Sequence, residues 1–302
     1  MKILIENTGG HGAIHQPVRR WFNRKWRRHI SKRYVARGVG IDYTVGSPFR
    51  SVIQNVMIKN QGTNDSCGGQ AGSYFLEVQD LIRGVKEGEL SAKSVYAPIA
   101  YLGGGTTIQD LERQIETGGA NLESAVPSYD AYGNPLIEPL MQSRSWETPA
   151  LIADAKARAG YVSVDIDLND IDAVAEAIAT YGAVIWEIEG QNGNTPDWRS
   201  PTPQPPSQNT PQPVFHHFMC AYDFTMYNGQ KAIMAFQSEG TSWGQNGIQF
   251  FGENYFTNGF IDPFTFEYDA NIQVPVQQPQ SLWSQLLWFF SGWAAVDKLF
   301  QS

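Results

Sequence analysis

Lys59-Asn60-Gln61-Gly62-Thr63-Asn64-Asp65-Ser66-Cys67 sets a side-chain amide six positions before a thiol. The thiol stands just ahead of an apolar pattern that predicts an amphipathic helix over 70–85. Far downstream lie Val214-Phe215-His216-His217-Phe218-Met219-Cys220 and then Gln237-Ser238-Glu239-Gly240-Thr241-Ser242-Trp243-Gly244-Gln245-Asn246-Gly247. The three stretches together carry a nucleophile, an oxyanion donor, a base and an orienting amide. A thiolate is the reactive form of cysteine, and a helix N-terminus or a neighbouring imidazolium lowers its pKa. The imidazole then protonates the leaving amine. The developing oxyanion needs aimed donors, commonly a backbone N–H and a side-chain amide. Gln61 supplies the amide, and Cys67 supplies its own N–H.

On these residues the chain resembles the papain-like cysteine peptidases over most of 42–268. Asn60-Gln61-Gly62 followed by Ser66-Cys67 looks like the nucleophile motif of that family. Thr241 to Gly247 looks like the segment after its third catalytic residue. The 150 residues from Cys67 to His217 fit the family's span of about 130–150. The resemblance implies a two-lobed α+β fold, a helical lobe and an antiparallel barrel-like lobe with the cleft between them. It implies catalysis by Cys67, His217, Gln237 and Gln61 on a peptide or protein substrate. It also implies that Gly104 and Gly105, within Gly103-Gly104-Gly105, pair with substrate backbone. Four positions depart from the pattern. Gln237 stands for the catalytic asparagine and Glu239 for the tryptophan that shields it. Gly68 stands for the aromatic after the nucleophile, opening the cleft floor, and Asn64 for a disulfide cysteine. The departures keep a second reading open, a structural or binding protein on the same fold with an impaired site.

Of five histidines, His11, His15 and His29 fall in the N-terminal forty residues. A core Cys–His pair therefore uses His216 or His217. Successive strand residues face opposite ways, so one of the two faces Cys67. The resemblance favours His217 as the base, with His216 as the alternative, lining the substrate site. Cys220 reads as a buried core thiol.

No cofactor or metal is expected. Gly68 to Gly72 lacks the Lys-Ser/Thr of a phosphate loop. Asp165, Asp167, Asp170 and Asp172 lack the glycine and glutamate of a calcium loop, and read as a solvated strand-to-helix loop. Cys and His show no zinc spacing. Two cysteines in 302 residues argue against a disulfide-stabilised secreted enzyme. Met1 to Gly10 lacks a basic-then-apolar export segment, which predicts a cytoplasmic or particle-associated protein. About forty residues precede the part that resembles a mature enzyme, so the expected form has no inhibitory prosegment of the family's size, as in bacterial or phage members.

Charge divides the chain. Residues 1–40 hold ten Lys/Arg against one acid, net +9, while the remainder is net −17. Residues 1–41 read as a basic aromatic arm, in which Arg19 to Arg37 interleave with Trp21, Phe22, Trp26 and Tyr34. Such an arm binds nucleic acid, an anionic membrane, an acidic protein partner, or the acidic body of its own chain. Residues 42–270 read as the peptidase-like domain and 271–280 as a linker. Residues 281–302 read as an apolar helix with Trp283, Trp288 and Trp293. Its apolar run of about sixteen residues is short of the roughly 20 that span a bilayer. It therefore predicts docking to a partner assembly, such as a phage particle, or to a membrane surface. Further helices are expected at 108–117, 148–159 and 170–181, and strands at 183–188, 214–224, 231–237, 247–252 and 264–268. The proline-rich 190–213 stretch, extended in character, is expected to rim the cleft.

Overall fold

The computed structural model describes residues 40–85, 87–166, 170–190, 198–205, 215–257 and 261–268, with the backbone of Lys32–Tyr34. Its centre is a helix, α2 (Cys67–Ile82), buried on every side from Cys67 to Asp80. The sequence pattern points to an amphipathic helix beginning three residues later. The earlier start follows from the glycines of the first turn, which bring neighbours closer than any side chain would allow. A Cβ on Gly69 would lie 2.6 Å from the Ala92 carbonyl oxygen, and one on Gly68 would lie 2.3 Å from Thr106 Cγ2. Around α2 stand the short helices α1 (Arg50–Ile53), α3 (Ala92–Tyr96), α4 (Ile108–Arg113), α5 (Glu138–Met141) and α6 (Pro149–Lys156). A π-helical turn, Gln114–Gly118, continues α4. Side-chain caps start three of these helices, from Ser91 to Ser94 N–H, Thr107 to Asp110 N–H and Thr148 to Leu151 N–H.

The strands form a seven-stranded sheet: β1 (Lys32–Tyr34), β2 (Tyr161–Ile166), β3 (Val184–Gly190), β4 (Phe215–Tyr227), β5 (Gln230–Phe236), β6 (Ile248–Gly252) and β7 (Ile261–Tyr268). Their order is β1-β2-β7-β3-β4-β5-β6, with β1 parallel to β2 and the other pairs antiparallel. Asn228 and Gly229, both at positive φ, make the tight β4–β5 turn. Period-two alternation gives the sheet two packed faces. Ile185, Phe218, Cys220, Phe264 and Phe266 face the α2 core. Val164, Trp186, Ile188, Met219, Ala221 and Ile233 pack with α7 (Ile171–Tyr181). Tyr255 and Phe256 of α8 (Glu253–Thr257) join that second face.

The sequence reading is corrected around Asp165. Tyr161–Ile166 is a strand in which Val162, Val164 and Ile166 alternate with Ser163 and Asp165, but the acids from Asp165 onward drew the reading to a loop. Asp165 is buried within it, Asp170 caps α7, and Asp172 accepts from Tyr43 Oη at 2.9 Å and Lys231 Nζ at 2.8 Å. Asp167 lies outside the described residues, as do the linker, the apolar C-terminal segment and the arm apart from β1 and residues 40–41.

Candidate active site

Cys67 opens α2 and is fully buried, and its Sγ accepts the Phe218 N–H at 3.4 Å. That contact seats the thiol at a helix N-terminus, against the strand that carries His216 and His217. The loop before it is held from several sides. Asn64 Oδ1 accepts from Ser66 N–H at 3.1 Å, and Asn64 Nδ2 donates to the Leu136 carbonyl at 2.7 Å. Glu138 accepts from Asp65 N–H at 2.6 Å and from Tyr96 Oη at 2.6 Å. Asn64 thus fastens by hydrogen bonds the position at which the family pattern has a cysteine.

Gln61 ties this loop to the sheet twice. Its backbone N–H donates to the Ser238 carbonyl at 2.6 Å, and its Oε1 accepts the Ser238 hydroxyl at 2.6 Å. Its Nε2 donates to the Asn64 carbonyl at 2.9 Å. An amide nitrogen has two hydrogens, so one donor of Gln61 is not used by that bond. Ser238 Oγ in turn stands 3.4 Å from His217 Nε2. With the Ser238 hydroxyl donating to Gln61, its lone pairs face the imidazole. This favours the tautomer with the proton on Nε2 and a bare Nδ1.

The two histidines diverge, as strand alternation requires. His217 is wholly buried, with its ring edge-on to Trp198 at 6.2 Å between centroids. His216 places Nδ1 3.2 Å from Glu187 Oε1. His217 is the one that the hydrogen bonds connect to Gln61.

The Gln237 amide, expected to orient the imidazole, has two partners that the sequence did not name. Its Nε2 donates to Gln249 Oε1 at 3.0 Å, and its Oε1 accepts the Ser238 N–H at 2.7 Å. Gln249 Nε2 then donates to the Trp198 carbonyl at 2.5 Å and to the Ser200 carbonyl at 3.1 Å. Through Gln249, Gln237 braces the segment that holds Trp198. Trp198 in turn covers His217, the apolar service that Glu239 cannot give. Sequence reasoning missed Ser238, Gln249 and Trp198. Ser238 follows Gln237 directly and was within reach, but Trp198 is brought in from a separate loop that no local spacing announces. Of the stretch expected at the cleft rim, residues 198–205 lie against β6 and α8, and 191–197 and 206–213 fall outside the described residues. The Phe250 N–H donates to the Pro201 carbonyl at 2.8 Å, and Tyr255 Oη donates to the Gln204 carbonyl at 2.8 Å.

The glycines also serve the fold more than a ligand. Gly68 does not open the cleft floor, because Thr106 and Phe218 close over it. Gly105 donates its N–H to Tyr96 Oη at 2.7 Å and gives its carbonyl to Tyr101 N–H at 3.0 Å. Gly104, at φ +104°, donates its N–H to the Tyr101 carbonyl at 3.0 Å. The Asp65 carboxylate fills the space where a Gly104 Cβ would sit. The pairing with substrate expected of Gly104 and Gly105 therefore finds both N–H groups and the Gly105 carbonyl already engaged.

Electrostatics around the thiol oppose ionisation. Burial pushes the Cys67 pKa well up, the Phe218 N–H pulls it down, and the Asp65 and Glu239 carboxylates push it up further. Burial likewise raises Cys220, which sits in the α2 core as a free thiol. Among the described residues no group of three or more His, Cys, Asp or Glu side chains could hold a metal.

No family model matches the chain, and no curated protein matches it. Solved structures do. Xylellain, a cysteine protease from Xylella fastidiosa, superposes with a TM-score of 0.64 over 89% of this chain and 100% of its own, at 15% identity. Procathepsin L2 proteinase from the larval midgut of Tenebrio molitor gives 0.58 over 85% and 78%, at 20% identity. Procathepsin B from Trypanosoma congolense gives 0.59 over 86% of each chain, at 12% identity. At these identities the likeness is one of fold.

Proposed function

On this papain-like α+β fold, we propose that the chain is a thiol hydrolase of peptide or amide bonds. The observation that carries the reading is the continuous tie from Cys67 through Phe218 to His217, Ser238 and Gln61. In this reading Cys67 attacks the carbonyl carbon, and His217 Nδ1 takes the thiol proton and returns it to the leaving amine. The Cys67 N–H and the second Nε2 hydrogen of Gln61 receive the oxyanion. Ser238 holds the imidazole tautomer, and Gln237 acts one step removed, through Gln249 and Trp198. The apolar segment 281–302 is the tether to a larger assembly, such as a phage particle, or to a membrane surface. No described helix is long and apolar enough to cross a membrane.

A second reading, an impaired papain-fold binding protein, has its own support. Burial first, and then the carboxylates of Asp65 and Glu239, raise the pKa of a thiol that catalysis needs ionised. Alkylation rates of Cys67 against pH, mapped by mass spectrometry with Cys220 as internal control, separate the two. Fast labelling below about pH 7 that His217→Ala abolishes, with capture of a peptidyl epoxide, is the result expected of the hydrolase. Labelling only above about pH 8, unaltered by His217→Ala, would establish the binding protein instead.

A further inference from the structure

Behind α2, away from the cysteine end, a groove of about 580 Å³ runs between α1, residues 55–57, Val85 and residues 87–89. Four carboxylates line it, those of Glu77, Asp80, Glu87 and Glu89, beside Val56 and Leu81. Among the described residues three cations serve these four acids. Lys59 is shared by Glu77 and Glu89, Arg83 pairs with Asp80, and Arg158 pairs with Glu87. At the mouth, Met57 is 65% and Val52 41% exposed. Glu77 and Asp80 are buried in their pairs, while the side chains of Glu87 and Glu89 are 47% and 23% exposed, and beside the apolar walls these two call for an occupant that is basic and aromatic together.

The chain contains one. Residues 19–28, Arg-Arg-Trp-Phe-Asn-Arg-Lys-Trp-Arg-Arg, carry six cations and three aromatic rings and no acid. Their point of attachment is fixed by β1, which pairs in parallel with β2 so that Lys32 stands opposite Val164. The chain preceding Lys32 therefore leaves the sheet at the Tyr161 end of β2. At that end Arg83, the residue that closes α2, lies over the rings of Tyr161 at 5.8 Å and Tyr268 at 4.5 Å. Arg83 is also bonded to Asp80 of the groove, at 2.5 Å. The groove thus begins where the arm departs. Thirteen residues separate Arg19 from Lys32, a reach of up to about 40 Å at roughly 3.3 Å per residue. β1 also lies at the sheet edge away from β4, β5 and β6, which places the arm's anchor far from Cys67 and His217.

We propose that residues 19–28 dock into this groove of the same chain, their guanidinium groups on Glu87 and Glu89 and their rings on its apolar walls. The proposal does not depend on the hydrolase reading, and its test has no catalytic readout. Benzoylphenylalanine is placed at Met57, exposed and outside the site, in the full-length protein. It is photolysed, and the crosslinked peptides are sequenced by mass spectrometry. The expected crosslink joins position 57 to residues 19–28. In mixtures of ¹⁵N-labelled and unlabelled chains it should remain within one chain. Glu87→Lys, a surface change checked for folding by circular dichroism, should cut the yield roughly fivefold, and 1 M salt should do the same. Crosslinks to 281–296, crosslinks between labelled and unlabelled chains, no arm peptide at all, or a yield indifferent to Glu87→Lys would each overturn the proposal.

Discussion

Lys59→Met is the sharpest test of how the nucleophile loop is held. Lys59 is 1% exposed, and its Nζ donates to Glu77 at 2.7 Å, the Leu90 carbonyl at 2.9 Å and Glu89 at 3.1 Å. Burial alone would lower its pKa, but Glu77 and Glu89 outweigh that and hold it above the ordinary value. Methionine keeps the length of the side chain and removes the charge. What remains is the buried Glu77 carboxylate with the Leu90 N–H as partner. Breaking one side of a buried pair costs about 3–5 kcal/mol, a fifth or more of the roughly 5–15 kcal/mol that holds a domain together.

The pH dependence carries a second signature. Burial already raises the Glu77 pKa, with Lys59 pulling it back, so losing Lys59 lifts it further. A carboxyl whose folded pKa exceeds its unfolded value favours folding at low pH, and that advantage is lost as pH rises through the folded pKa. The deficit of Lys59→Met should therefore be largest near pH 8 and smaller near pH 5. Adding Glu77→Gln should return at least about 2 kcal/mol at pH 8, because the stranded charge is gone. Urea unfolding of the four proteins of this cycle at both pH values is the assay. A loss below about 1 kcal/mol, comparable with a surface pair, would refute the account. So would a deficit independent of pH, or a double variant no more stable than the sum of its parts.

Three other outcomes follow from the same geometry. Ser238→Ala leaves Gln61 Oε1 buried without its 2.6 Å donor, and should cost about 1–3 kcal/mol in urea unfolding. In the hydrolase reading it should also lower kcat/KM on a peptide substrate roughly tenfold or more through loss of the imidazole tautomer. Gly68→Ala sets a Cβ 2.3 Å from Thr106 Cγ2. It should destabilise by about 1–3 kcal/mol, with Thr106→Ser in the same chain recovering part of the loss in thermal melts. Glu123, raised by burial from 4.5 to about 7 against the hydrogen bonds of Ser128, keeps in the folded state a proton that the unfolded chain has released. Its stabilisation is whole below about pH 4.5 and disappears as pH rises past 7. Glu123→Gln should therefore flatten the urea midpoint between pH 5 and 8, against a wild-type slope worth up to about 3 kcal/mol.

Elements whose cause is local could be read from the sequence. Thr148 capping α6, Asp170 capping α7 and the apolar runs of β3 and β5 all lie near the expected bounds. The stretch 61–67 is local as well, with Gln61, Asn64 and Ser66 bonded to one another within one loop ahead of Cys67. What stayed hidden was assembled across distance. Strand β2 buries its polar Ser163 and Asp165, which read as solvated, because helices cover the sheet on both faces. Gly68 and Gly69 read as an opening, whereas Thr106, Phe218 and Tyr96 press into the space they leave. Trp198 arrives beside His217 from a loop whose own sequence suggests only extended, proline-rich chain.

The same non-locality makes Gln237 the residue on which sequence resemblance and structure disagree most usefully. By the family pattern, Gln237→Asn restores the expected catalytic amide and should improve the site. The structure argues the reverse. The shorter side chain withdraws the 3.0 Å bond to Gln249, and Gln249 is fully buried. Its Oε1 would be left without that donor, at about 1–3 kcal/mol. Gln249 is also what fastens the Trp198 and Ser200 carbonyls, so the tryptophan over His217 loses its brace. Ser238 still occupies the place beside Nε2 that the new amide would need. Gln237→Asn should therefore red-shift tryptophan emission as Trp198 gains water, and should slow Cys67 alkylation below pH 7. Faster alkylation with unchanged emission would show that the imidazole answers to the amide at position 237 after all, and that Ser238 is a bystander.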